Sequence, residues 1–128
     1  MRRSYKVAAG CVLLLSSSCI DVFDLQSEVQ LPISELAVPE SVSAQGPLSA
    51  TLTVVTGGCR EFDRIRSSRT GGVVILEAWG TDSGGEACTD DIRYEPHQYS
   101  INGPFANPLV VSAVQPDGTS ITKTVRVE

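Results

Sequence analysis

The chain has 128 residues, which is enough for one domain, and its 15 acidic and 10 basic residues give a formal net charge of −5. Three of the basic residues, Arg2, Arg3 and Lys6, stand at the start with no acid near them, so the rest of the chain has seven basic against fifteen acidic residues, or −8. Because phosphate contacts need clustered Lys and Arg, this acidity argues against a nucleic-acid partner.

The first eighteen residues have the order of a signal peptide. A positive segment, residues 1–6, precedes an apolar run over residues 7–15 and then the small residues Ser16, Ser17 and Ser18, which a signal peptidase accepts. The run is too short to span a bilayer as a helix, since that needs about twenty apolar residues. We therefore expect residues 1–18 to be a removable signal.

The junction that follows resembles the lipobox of bacterial lipoproteins: it reads Leu15-Ser16-Ser17-Ser18-Cys19, with Leu one position further from the Cys than in the usual pattern. The resemblance implies a diacylglycerol on Cys19, attachment to a membrane through that lipid, and a domain held in the bacterial cell envelope outside the cytoplasm.

Two alternatives to this assignment remain open. The stretch that ends at Cys11 fits the box more closely but leaves almost no apolar segment ahead of the cut, so Cys19 is preferred. An ordinary secretory signal is the other alternative, and it would leave Cys19 as a spare thiol.

Cysteine parity then predicts one disulfide. If Cys11 leaves with the signal and Cys19 carries the lipid, Cys59 and Cys88 remain as one pair in an oxidising compartment. Their bond would close a loop of about thirty residues, for which chain entropy gives roughly 3–4 kcal/mol. Two of the four cysteines lie in or beside the leader and no C-x-x-C is present, which argues against a metal site.

The remaining chain divides into a predicted acidic tether, residues 19–34, whose later part can add a strand, and a domain over residues 35–128. No convincing helical period follows the leader. Alternation, turn residues and prolines predict the following elements: an edge strand with Pro39 over 36–44, strands over 48–55 and 64–69, a turn at 70–72, a central strand over 73–79, a strand over 92–101 with Pro96 at an edge or bulge, and a C-terminal hairpin over 109–127.

About seven short strands with regular turns indicate an all-β antiparallel sandwich. The segments 108–119 and 121–127 resemble the last two strands of bacterial immunoglobulin-like domains, and 38–46 resembles their first strand. The resemblance implies an immunoglobulin-like sandwich. In antibody-type domains the bonded cysteines are further apart and a Trp packs on them; here Cys59 and Cys88 are closer together, and Trp79 is the residue able to cover the bond.

A second resemblance covers the two cysteine segments. Gly57-Gly58-Cys59 and the run from Ala87 to Arg93 are similar to a block found in small uncharacterised bacterial lipoproteins. This resemblance implies no known activity.

Few residues are candidates for catalysis. His97 is the only histidine, and neither an orienting group nor a G-x-S-x-G motif accompanies it. We therefore expect no enzyme activity and no cofactor. The alternative is a small envelope hydrolase or a metal-dependent enzyme that uses His97 with Asp90, Asp91 or Glu95.

Acidic residues concentrate around one loop, which is the predicted contact surface of a binding or structural module: they are Asp82, Glu86, Asp90 and Asp91, followed by Glu95. Ca²⁺ takes oxygens from such groups, but the spacing fits no EF-hand, and we expect no metal. The expected partner is an envelope protein or a glycan. A binding module further predicts an exposed patch with aromatic or apolar content at one end of the domain.

A row of arginines, Arg60, Arg64, Arg66 and Arg69, precedes this loop. On a strand, Arg64 and Arg66 share a face, and we expect them to pair with the acids at 90, 91 and 95 on neighbouring strands rather than to bind an anionic ligand.

Overall fold

The computed structural model describes residues 27–85 and 87–128, and within them the chain is all β, with no helix. The predicted all-β class is thus confirmed. Nine strands lie in this part of the chain: β1 Ser27–Leu31, β2 Ile33–Ala37, β3 Ser41–Val42, β4 Leu48–Thr56, β5 Arg60–Thr70, β6 Val73–Asp82, β7 Arg93–Ile101, β8 Leu109–Val114 and β9 Ser120–Val127. The count exceeds the expected seven because the N-terminal stretch is divided into three short strands around prolines.

The strands form two sheets. In the larger sheet β6 is central, and β5 pairs with it along one edge. On the other edge of β6, β8 pairs with its first half and β1 with its second half. Beyond β8 the sheet continues with β9 and then β3. The smaller sheet has the order β2-β4-β7. Most pairs are antiparallel, but β6 with β8 and β3 with β9 are parallel, so the prediction of a wholly antiparallel arrangement was wrong for these two pairs. The central position predicted for 73–79 is confirmed.

One apolar core joins the two sheets in a sandwich-like arrangement. Alternate residues of β4 are fully buried, as period-two patterning requires when a strand has one covered face. The same alternation in β6 buries Val74, Leu76 and Ala78, and these residues belong to the same cluster as Leu52 and Val54 of the other sheet.

The later part of the predicted tether, residues 27–34, lies in strands of the two sheets. Strand β1 pairs with β6, and β2 pairs with β4, so the chain changes sheets at Pro32. Leu31 is fully buried and Ile33 is 3% exposed, because each faces the core from a different sheet. The leader and residues 19–26 of the tether, including Cys19, lie outside the described residues.

The local turn and proline predictions are confirmed. The turn at 70–72 joins β5 to β6, and Gly71 there has φ +60°, a conformation that glycine adopts without strain. Pro96 lies in β7, an edge strand paired only with β4, and edge strands are where proline is found within sheets. The segment 36–44 is interrupted at Pro39, as its sequence indicates, and continues as the two-residue β3.

Candidate functional site

A disulfide closes one end of the domain. Cys59 and Cys88 are bonded, with their Cα atoms 5.1 Å apart, so the start of β5 is tied to the loop before β7. The Ser83 amide also donates to the Cys59 carbonyl, at 3.0 Å. We call this region, made of Ser27, residues 57–60 and the described residues of 82–93, the disulfide end.

Gly57 lets the loop approach β4 closely at this end. Its φ is +133°, and a Cβ there would overlap the carbonyl of Asp91. Neither the backbone conformation nor the space is available to another residue, so Gly57 holds the loop against the strand end. The position of the loop therefore depends on a backbone contact as well as on the disulfide.

Two of the four predicted loop acids, Asp82 and Asp91, accept hydrogen bonds within the disulfide end itself. Asp82 accepts a hydrogen bond from the Gly84 amide at 2.9 Å and one from Arg60 Nε at 3.3 Å, and these donors, in that order, lower its pKa. Such bonds favour the ionised carboxylate.

Asp91 has the same role on the other side of the loop. Its carboxylate accepts from the Thr89 hydroxyl and from the Gly58 amide at 3.3 Å, and both bonds lower its pKa, with a smaller contribution from Arg93 at 3.7 Å.

The loop acids that the structure describes are not grouped around a common point where a cation could bind. Asp90 is exposed and has no ion-pair partner among the described residues, and Glu86 lies outside them. Across residues 27–85 and 87–128 no group of three or more His, Cys, Asp or Glu side chains is placed to hold a metal ion. Among the described residues, Asp90 is therefore left open to solvent at the disulfide end.

An exposed apolar surface adjoins the loop. Ile92 is 65% exposed and Tyr94 is 64% exposed, the two large apolar side chains that are most open to solvent in the described chain. Tyr94 pairs with Val55 on the outer face of the smaller sheet. Val55, Ile92 and Pro32 line a shallow pocket of about 250 Å³, whose rim includes Asp90. We call Pro32, Val55, Ile92 and Tyr94 the apolar surface.

Neither Ile92 nor Tyr94 was predicted to be a contact residue; Tyr94 lies in the predicted strand, whereas Ile92 lies one residue before β7. One signal was available: on a strand Tyr94 shares a face with Pro96, whereas Glu95 and His97 share the other face. The structure turns Glu95 and His97 inward, because they pair with the fully buried Val54 and Leu52. Two exposed large apolar side chains, Ile92 and Tyr94, therefore lie at or beside the disulfide end.

His97 lies between the two sheets at their open side. Its ring stacks on Phe62 of β5, with centroids 3.7 Å apart, and its Nε2 atom is buried without a hydrogen-bond partner among the described residues. Glu95 lines the same pocket of about 240 Å³ and accepts a 2.6 Å hydrogen bond from Thr56, the buried polar residue of β4. Asp90 and Asp91 do not line this pocket.

The arginine row pairs differently from the prediction. Arg64 and Arg66 do share a face, but both donate to Glu28 of β1, on the far side of β6. The predicted partners at 90, 91 and 95 were wrong for these two arginines, because Glu28 reaches the same face from β1, the strand that the later part of the predicted tether adds to the sheet.

Other contacts complete this face. Arg64 also bonds Asp63 at 2.7 Å, and this bond, followed by the charge of Glu28, raises the pKa of Arg64. The Arg66 guanidinium lies 4.4 Å from the centre of the Trp79 ring, so Trp79 is covered by an arginine on the outer face of β6. The arrangement leaves the arginines engaged within the protein.

No family model, no curated protein and no solved structure matches this chain. In the part of the chain that the structure describes, there is no helix long and apolar enough to cross a membrane.

Proposed function

We propose that the chain is a lipid-anchored protein of the bacterial cell envelope that presents a disulfide-stapled, immunoglobulin-like β-sandwich as a binding module for an envelope protein or a glycan. The lipobox-like sequence at Cys19 supports the anchor. The cysteines at 59 and 88, bonded to each other, fit export to an oxidising compartment.

Two features support the immunoglobulin-like arrangement. The N-terminal strand is shared between the sheets, with β1 in one and β2 in the other, and the C-terminal strands β8 and β9 form an antiparallel hairpin. The position of the disulfide departs from that of antibody-type domains, because Cys88 lies in a loop.

The exposed pair Ile92 and Tyr94 is the observation that carries the binding proposal. Water-exposed apolar side chains beside a fixed loop are typical of contact surfaces, and Tyr combines an apolar ring with a polar tip. Both residues project from or adjoin β7, next to a loop held by a covalent bond and by Gly57. A surface fixed in this way loses little conformational entropy when it binds.

The alternative, a hydrolase or metal-dependent enzyme built on His97, has weaker support. Glu95 lies in the same pocket as His97 but is already bonded to Thr56. Asp91 is engaged by Thr89 and Gly58 at the disulfide end. Of the three acids named for such an enzyme, only Glu95 shares a pocket with His97, whereas Asp90 and Asp91 lie at the disulfide end.

The anchor is tested by the intact mass of the protein extracted from envelopes, without reduction, after reduction, and for a Cys19→Ala variant. We expect a mass increment of the size of a diacylglycerol that is lost with Cys19, and a gain of two protons on reduction. A bare, soluble mature chain would contradict the anchor, and an unchanged mass on reduction would contradict the disulfide.

The binding role is tested by chemical cross-linking of the full-length protein in intact cells. We expect a specific cross-linked product for the wild type that is lost on Tyr94→Ser but retained on Gln98→Ala. Gln98 lies on the same exposed face of β7, four residues away. Equal products for both variants would contradict a role for the apolar surface.

A further inference from the structure

We propose that the apolar surface binds the basic, membrane-adjacent face of an integral membrane protein, rather than a partner farther out in the envelope. This inference rests on the proposed lipid at Cys19. It adds to that proposal the place of the partner and the chemistry that the partner must present.

The described chain enters the fold at one end of the larger sheet. Ser27, the first residue of β1, pairs with Asp82, the last residue of β6. Asp82 is in turn bonded to Arg60, next to the disulfide. The polypeptide therefore enters the domain at the disulfide end, and the turn at 70–72 lies at the opposite end of the same strands.

The predicted tether before Ser27 can span only a short distance. Eight residues, 19–26, precede Ser27. Even a fully extended chain of that length spans no more than about 28 Å. A lipid on Cys19 would therefore keep the disulfide end within that distance of the bilayer surface, whatever conformation the tether takes.

The apolar surface lies at the same end of the domain as this entry point. Tyr94 is next to Arg93, which pairs with Thr56 at the last position of β4. Gly58, two residues after Thr56, donates its amide hydrogen to the Asp91 carboxylate. Arg60, the first residue of β5, follows two residues after Gly58. The apolar surface and the chain entry thus share one end of the domain, the end nearest the membrane.

The negative charge of the domain favours one class of binding partner at this end. The chain carries −8 after its leader, so an anionic leaflet and a second copy of the chain would both be repelled. The surroundings of the apolar surface are also negatively charged. Arg60 and Arg93 are paired with acids, whereas Asp90 has no ion pair among the described residues. The complementary partner offers an apolar socket for Ile92 and Tyr94 and a Lys or Arg opposite Asp90.

The test uses the full-length protein in living cells, with a photo-reactive benzophenone amino acid in place of Tyr94, and the same probe at Gln98 as the matched control. A second variant with the probe at Ile92 guards against a local effect of replacing Tyr94. We expect a product with an integral membrane protein at 92 and 94 and little at 98. Mass spectrometry of the product should place the contact on a membrane-adjacent, Lys- or Arg-containing segment.

Two further changes test the mechanism. Asp90→Lys should lower the yield of the product about fivefold, because it turns an attraction into a repulsion. Inserting about twenty Gly and Ser residues after Gln26 should lower the yield about tenfold, because a longer flexible tether dilutes the surface near the membrane.

Several results would overturn the inference: a product with lipid, with a second copy or with a soluble protein, equal yields at 94 and 98, or a yield that the insertion leaves unchanged. The intact mass of the same sample separates the two proposals. If the chain carries the lipid and any of these results is found, the inference alone fails. If the chain carries no lipid, the proposed anchor fails and the inference fails with it.

Discussion

Removing the disulfide is expected to destabilise the whole domain rather than only the loop. The double substitution Cys59→Ser and Cys88→Ser opens a loop with a sequence separation of 29 residues. For a loop of that length, the chain-entropy relation gives about 3.6 kcal/mol at 25 °C.

Native contacts support the use of that relation. The Ser83 amide bond to the Cys59 carbonyl and the Arg60 ion pair with Asp82 do not depend on the sulfur atoms. The folded loop should therefore keep its place in the double variant, and the free-energy change comes mainly from the greater freedom of the unfolded chain. For a domain of about 100 residues, this loss corresponds to a fall in Tm of about 14–29 °C.

Urea unfolding of the wild type and the double variant, followed by Trp79 fluorescence, measures this change. The denaturant slope should also rise, because an unfolded chain without the cross-link exposes more surface. A Cys59→Ser single variant is the control and should lose a similar amount. A loss below about 1 kcal/mol in both variants would refute the entropic reasoning.

Three further outcomes follow from the packing and the hydrogen bonds. Leu31→Ala should cost about 2–5 kcal/mol in urea unfolding, since Leu31 is fully buried, whereas the exposed Ile92→Ala should stay within about 0.5 kcal/mol; similar costs would mean that β1 does not belong to the core. Thr56→Val should cost about 1–3 kcal/mol through the lost bond to Glu95, and less in a Glu95→Ala background; an undiminished cost there would contradict the bond. The pKa of Asp91 is lowered in the folded state, so its contribution to stability is present above the ordinary value of 3.8 and is lost as the pH falls below it. Thermal melts should therefore show a smaller acid-induced fall in Tm for Asp91→Asn than for the wild type. Equal falls would contradict this role of Asp91.

The predictions that succeeded depend on short stretches of sequence. Alternation over residues 48–55 located β4, Gly71 and Gly72 marked the turn, and Pro96 indicated an edge strand. Each of these signals acts through the backbone conformation or the side-chain direction of its own segment. Such information is present in the chain before any distant contact forms.

The predictions that failed required a distant contact. Arg64 and Arg66 were correctly placed on one face, yet their partner is Glu28, 36 and 38 positions away. Glu28 reaches them only because β1 adds to β6 on the edge opposite β5. A pattern of acids and apolar residues in the tether does not reveal which sheet its later part joins.

The sequence by itself determined the all-β class, most strand positions and the pairing of Cys59 with Cys88, because periodicity, turn residues and cysteine parity are local or countable properties. The tertiary structure alone decided that Leu31 and Ile33 belong to the core, that Ile92 and Tyr94 are open to solvent, and that the chain enters the fold at the disulfide end. These features depend on which strands become neighbours, and that choice is made by the free energy of the whole packed core.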